Sequence, residues 1–200
     1  RIEQQMRHKI RLVQPGTRES KSRFELNVPA GVFVSPQHAW AKIEMNGTVR
    51  VGVDDLLRKL FGSVEQVRLP ERGRTYEKGE ALFSIEYGDD TLDIPAPLSG
   101  KVITANAEHS EHPEWLAVKP FELGWICGLE PADLSGELPG LKIGRDAIAW
   151  YQQELDRFSA LSNSQEGREA PDSNTGAEHP RSPADNAKLL TEFTKPFLQT

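Results

Sequence analysis

Leu82-Phe83-Ser84-Ile85-Glu86-Tyr87-Gly88-Asp89-Asp90-Thr91-Leu92-Asp93-Ile94-Pro95-Ala96-Pro97-Leu98-Ser99-Gly100-Lys101-Val102 is the stretch whose reading decides the fold. Leu82 to Tyr87 is apolar and β-branched enough for a strand. Gly88-Asp89-Asp90 supplies turn residues, because glycine tolerates positive φ and aspartate hydrogen-bonds its own backbone. Leu92 and Ile94 alternate with polar neighbours, the period of a half-buried strand. Pro95, Pro97 and Gly100 then punctuate the chain. The stretch predicts a β-hairpin with an exposed polar tip, and function turns on what that tip presents.

The flanks continue the pattern. Val32-Phe33-Val34 and Ala39 to Met45 read as strands, and Asn46-Gly47 joins the second to Thr48 to Val53 as the strongest short hairpin signal in the chain. Asp54 or Asp55 caps a short helix through Phe61, with Gly62 past its end. Val64 to Leu69, Val102 to Thr104, Trp115 to Val118 and Gly124 to Leu129 read as further strands. Short strands with glycine or proline at each turn indicate an all-β barrel or sandwich. Asp146 to Phe158 is next and reads as a helix, placing Ile148, Tyr151, Leu155 and Phe158 on one apolar face.

Composition bounds the rest. Only 37% of the 200 residues are hydrophobic, which predicts polar flanks around a core spanning 32–158. Residues 159–200 are expected to be a disordered polar tail: the chain to about Asp185 has almost no large apolar residue to offset its ordering entropy. A late apolar cluster, Leu189, Leu190, Phe193, Phe197 and Leu198, is read as unordered, with a partner-binding helix as the alternative. The net charge of −6 gives no global case for nucleic-acid binding. Cys127 is the single cysteine, which excludes an internal disulfide framework and a cysteine-rich metal site. No run of about 18 apolar residues is present, and no signal-peptide core.

Residues 1–31 form a basic extension or linker. Up to Arg23 seven Lys and Arg stand against Glu3 and Glu19, a local charge of +5. Ile2, Met6, Ile10 and Val13 recur at helical spacing and predict a short amphipathic helix over 1–13, ended by Pro15-Gly16. Because the chain starts at Arg1, an upstream segment is expected. A basic stretch of this kind suits a solvated linker, or a position near an anionic membrane surface behind an upstream anchor.

From Phe33 to about Phe158 the chain resembles the H-protein of the glycine cleavage system, a relative of lipoyl and biotinyl carrier domains. The matching pieces stand in the family's order. They are His38-Ala39-Trp40, Val51-Gly52-Val53-Asp54-Asp55 with the short helix and Gly62, and Val67-Arg68-Leu69-Pro70 with Gly73. Lys78-Gly79-Glu80, Ile94 to Val102, Asn106, Pro113-Glu114, Pro120 and Gly124-Trp125 complete the series. The resemblance implies a barrel-sandwich hybrid. It also implies a lysine at the hairpin tip that carries lipoate as an amide and shuttles an aminomethyl group between enzymes.

The family pattern Glu-Ser-x-Lys-Ala runs without gaps to Ala-Pro-x-Ser-Gly. Counted back from Ala96-Pro97, Glu86 takes the Glu place, Tyr87 the Ser place, and Asp89 falls where lysine belongs. No lysine lies between Lys78 and Lys101, and those two read as structural turn residues beside glycines. The expectation is therefore a degenerate carrier without cofactor: not an enzyme, but a binding, scaffolding or regulatory module that kept the docking scaffold. Its hairpin residues are Glu86, Gly88, Asp89 and Asp90. It would be cytoplasmic, with or without a membrane tether upstream, and would work with a protein partner, glycine cleavage components among the candidates. Two alternatives are a lipoyl-carrying H-protein and a soluble structural domain of a membrane-anchored protein.

Other chemistry is thin. Glu86, Asp89, Asp90 and Asp93 offer oxygen ligands but lack the full pattern of a calcium loop. His109 and His112 stand among carboxylates in a stretch read as a surface loop, and no metal is expected there. His38 is read as orienting a turn. Trp40, Trp115, Trp125 and Trp150 are read as core residues, and Cys127 as buried and inert. No nucleophile–base pair, phosphate loop or acid–base carboxylate pair is found.

Overall fold

The computed structural model describes residues 7–11, 25–61, 64–166 and 192–194. The strands are β1 (Arg7–Arg11), β2 (Glu25–Pro29), β3 (Val32–Val34), β4 (Ala39–Ile43), β5 (Val49–Val53), β6 (Gln66–Arg68), β7 (Thr75–Tyr76), β8 (Ala81–Tyr87), β9 (Asp90–Pro95), β10 (Gly100–Ala105) and β11 (Trp125–Pro131). The helices are α1 (Asp55–Phe61), α2 (Trp115–Val118), α3 (Leu134–Glu137) and α4 (Gly144–Glu166). Six strands form one antiparallel sheet in the order β3-β4-β5-β11-β10-β7, three form a second in the order β6-β8-β9, and β1 pairs with β2. This is the mostly antiparallel, helix-poor architecture expected of a barrel-sandwich.

The main core lies where the alternating residues of the two larger sheets meet. Val49, Val51 and Val53 of β5 share it with Phe83 and Ile85 of β8 and Leu92 and Ile94 of β9. Each such side chain contributes about 1.5–3 kcal/mol on burial. The hairpin expected at Asn46-Gly47 forms, with Ile43 opposite Val49. Asn46 Oδ1 accepts from the Thr48 amide and hydroxyl, which fixes the turn. Asp54, rather than Asp55, caps α1: its Oδ1 accepts from the Leu57 amide at 2.8 Å. Gly62, expected beyond the helix end, lies outside the described residues.

A second core lies on the other side of α1. Leu26 and Val28 of β2, Leu56 of α1, and Trp150, Tyr151 and Leu155 of α4 close around Phe193. This changes several expectations. Residues 7–11 are not helical: they pair with β2, Ile10 opposite Leu26. The hydrogen-bonding partner supplied by β2 overrides a weak helical period. The rest of 1–13 lies outside the described residues. Folded structure crosses the expected boundary at 31, because Leu26 and Val28 are buried. It also crosses that at 158, because α4 continues to Glu166 and residues 192–194 form a helical turn with Phe193 0% exposed. Trp115 to Val118 is a helical turn instead of a strand. Among the described residues no helix is long and apolar enough to cross a membrane.

Two close arrangements fix the body. Trp40 pairs across the sheet with Gly52. A Cβ on Gly52 would stand 2.7 Å from three atoms of the indole, so the ring lies where only glycine leaves room. Ser99, in the run after β9, is clamped to α3. Its amide donates to Glu137 Oε2 and its hydroxyl to Oε1, both at 2.6 Å.

His38 is fully buried and has φ 66°, the one positive value among the described non-glycine residues. That conformation costs a non-glycine residue roughly 1–2 kcal/mol. Its surroundings offset this. His38 Nδ1 donates to Asp54 Oδ2 at 2.7 Å, and the Asp54 amide donates back to the His38 carbonyl at 2.8 Å. Nε2 lies 3.6 Å from Glu154 Oε2 on α4. Burial alone would push the imidazole down. The Asp54 and Glu154 carboxylates outweigh it and push it up to about 9. The folded value thus exceeds the ordinary value of about 6.5. Stability from this pair is fully present below about pH 6.5 and is lost as pH rises through about 9.

Replacing Gly52 by alanine is expected to lower stability by about 1–3 kcal/mol, read as a lower urea midpoint at unchanged slope. The wild-type midpoint should fall between about pH 6.5 and 9. In His38→Asn, which still reaches positive φ, that decline should vanish. At pH 6 this variant should be about 3–5 kcal/mol less stable, because a buried carboxylate has lost its cation. A wild-type midpoint flat across this range would rule out the charged pair.

Candidate functional site

The hairpin of β8 and β9 is the candidate site. Its register puts Tyr87 opposite Asp90, Glu86 opposite Thr91, Ile85 opposite Leu92 and Ser84 opposite Asp93. Opposed residues share a face, so Ile85 and Leu92 point into the core while Glu86, Thr91, Ser84 and Asp93 face outward. The connection is the two residues Gly88 and Asp89. Gly88 has φ 57° and takes the first central position, where this kind of turn favours glycine. Gly88 and Asp89 are exposed; Glu86 and Asp90 are partly buried.

The expected acids do not converge. Glu86 is paired with Arg68 of the neighbouring β6. Asp93 accepts from Ser84 Oγ at 2.6 Å. Asp89 projects at the turn. A carboxylate there can accept hydrogen bonds or meet a cation, but it is no amine nucleophile and cannot form the amide that carries a lipoyl arm. Lys78 lies in the turn before β8, where its amide donates to Ser99 Oγ at 2.8 Å. Lys101 lies on β10 opposite Thr75 and Glu130. Neither reaches the tip.

His109 and His112 serve separate local roles. His109 is buried, and its Nε2 lies 3.1 Å from the Trp125 carbonyl. Burial holds its imidazole below the ordinary histidine value. His112 stacks on Trp115 at 4.8 Å and meets Glu114 at 2.9 Å. The stretch read as a surface loop therefore contributes a core residue. Among the described residues no group of three His, Cys, Asp or Glu side chains could hold a metal ion. Burial pushes the Cys127 thiol up to about 12, so it stays protonated and unreactive.

Sequence reasoning missed Glu137 and Glu154. Glu137 carried no local signal for its contact with Ser99, 38 positions away. Glu154 was placed on a helix, but nothing in its neighbours shows that it faces His38.

Comparison with known proteins places this geometry. Residues 32–153 match the family model described as Glycine cleavage H-protein. The probable glycine cleavage system H protein of Thermococcus gammatolerans is 37% identical over 131 residues, covering 66% of this chain and 96% of that protein. The glycine cleavage system H protein of Methylococcus capsulatus is 34% identical over 115 residues, covering 58% of this chain and 89% of its own. The crystal structure of a glycine cleavage system H protein from Mycobacterium marinum superposes with a TM-score of 0.53 at 26% identity. That match spans 63% of this chain and 98% of the other. With more than half of its length matched by the family model across the β8–β9 hairpin and the strands that carry it, this chain belongs to the glycine cleavage H-protein family.

Proposed function

We propose that this protein is a non-enzymatic member of the H-protein family that bears no lipoyl arm and works as a protein-docking module. The observation that carries the reading is Asp89. It stands at the exposed tip, where the resemblance puts the lipoyl lysine, and no lysine lies between Lys78 and Lys101. The donor set at the tip does not fit lipoate attachment, which needs a primary amine. The scaffold around it is intact: the hairpin is registered, the turn formed, and the return after Pro97 clamped by Glu137. A preserved surface without a prosthetic arm is suited to binding. Components of the glycine cleavage system are the first partners to test, since the relatives are named for it.

The relatives' names also favour a second reading, a lipoyl-carrying H-protein of the glycine cleavage system that shuttles an aminomethyl group. It requires an attachment site away from the tip.

Intact mass after co-expression with a competent lipoylation system separates the two. The wild-type chain is expected to keep its unmodified mass. Asp89→Lys, which restores the amine on an exposed turn, is expected to gain one lipoyl group. A wild-type chain that gains a lipoyl group, or that supports aminomethyl transfer in a reconstituted glycine decarboxylation assay, overturns the docking-module reading and establishes the carrier.

A further inference from the structure

The family match ends at residue 153, but the fold does not. Phe193 is fully buried beyond that limit. The Arg157 guanidinium lies 4.1 Å over its ring, and Arg157 Nη1 donates to the Phe193 carbonyl at 3.0 Å. Glu154 Oε2 accepts from Arg157 Nη2 at 2.6 Å and steadies it. The Phe158 ring meets Phe193 edge-on at 5.5 Å, and the His38 ring lies 5.6 Å away. The socket therefore reads two features of its occupant, an aromatic ring and the carbonyl of the same residue. Arg157 and Phe158 lie beyond the family-matched body, as does the occupant itself.

The position of the occupant matters as much as its contacts. Thr194, also buried, lines a small cavity with Gln37, Leu57 and residues Leu92 to Pro95 of β9. The segment thus sits at the root of the hairpin whose tip carries Asp89. It is one helical turn, connected to α4 through the 25 residues 167–191. Phe193 and Thr194 are buried side by side, and a segment this short, held apart from the sheets, belongs to the low end of local stability. Its release would leave an aromatic socket beside the apolar side chains of Leu57, Leu92 and Ile94.

We propose that residues 192–194 are a displaceable internal ligand. They fill in cis a socket for one phenylalanine, and by doing so close the face at the hairpin root to an incoming helical peptide that carries the same anchor. The occupant's chemistry is read from the internal ligand itself: a helical turn, an aromatic side chain and a carbonyl offered to Arg157. The inference holds whether or not the protein carries a lipoyl group.

A labelled synthetic peptide of residues 186–200, titrated by fluorescence anisotropy against the full chain, tests it. The Phe193→Ala chain is expected to bind the peptide saturably. The wild-type chain should bind at least about 10-fold more weakly, because its own tethered segment competes at an effective concentration on the order of millimolar. The same peptide with Phe193 replaced by alanine and Phe197 kept should bind neither. Equal binding to both chains, or no binding to a Phe193→Ala chain that keeps the wild-type circular dichroism, overturns the proposal. Should Phe193→Ala fail to fold, Phe193→Leu replaces it, keeping apolar volume while losing the ring over Arg157. A gain of about threefold over wild type is then expected, and no gain overturns the proposal.

Discussion

The structure depends on one buried ion pair. His38 turns the chain into β4 in a conformation that a non-glycine residue resists, and Asp54 both neutralises its charge and starts α1. Glu154 approaches the same imidazole from α4. A charge in the interior is tolerated only when its partners are all in place, so the three elements stand or fall together. Tyr151 lies in this setting as well: burial, with the Asp54 carboxylate beside it, holds its hydroxyl in the protonated form. The pair also joins the two cores. Asp54 sits at the end of β5 and the head of α1, while Trp150, its ring tilted 4.9 Å from that of His38, belongs to the core around Phe193. The residues beyond the family-matched body are therefore coupled to its centre rather than appended to its surface.

What could be read from sequence is what is local. Asn46-Gly47 and Gly88-Asp89 specify their turns within four residues, and Asp54 caps a helix that begins one position later. Counting back without a gap from Ala96-Pro97 assigns Asp89 to the lysine place, and the hairpin itself puts that residue at the exposed turn. What could not be read depends on contacts made across the chain. Ile2, Met6, Ile10 and Val13 give residues 1–13 a helical period, yet the partner that decides 7–11 is β2. Trp115 to Val118 looks like a strand by composition, but it closes a helical turn after His112, whose carbonyl accepts the Trp115 amide. His109 stood in a polar run of Glu and Ser, and only the fold turns it inward to the Trp125 carbonyl. Phe193 sat in an apolar cluster that could be noticed, but its socket is built from residues more than 30 positions earlier in the chain.

The separation between scaffold and chemistry follows from the same physics. The hairpin owes its stability to Phe83, Ile85, Leu92 and Ile94, which the core cannot lose without a cavity, and to a glycine that relieves the turn. Position 89 contributes to neither. It lies at an exposed central position of a two-residue turn, where aspartate is as well suited as most residues. Exchange of lysine for aspartate there would cost the fold little while removing the amine that an amide-linked arm requires. The body around it is under the opposite constraint, since Trp40 over Gly52, the Ser99 clamp and the His38 pair each fail on a single change. Selection on the fold alone would thus preserve everything that marks the family and leave the tip free to vary. Position 89 is thus a side chain that the fold does not need, and in this chain it is a carboxylate.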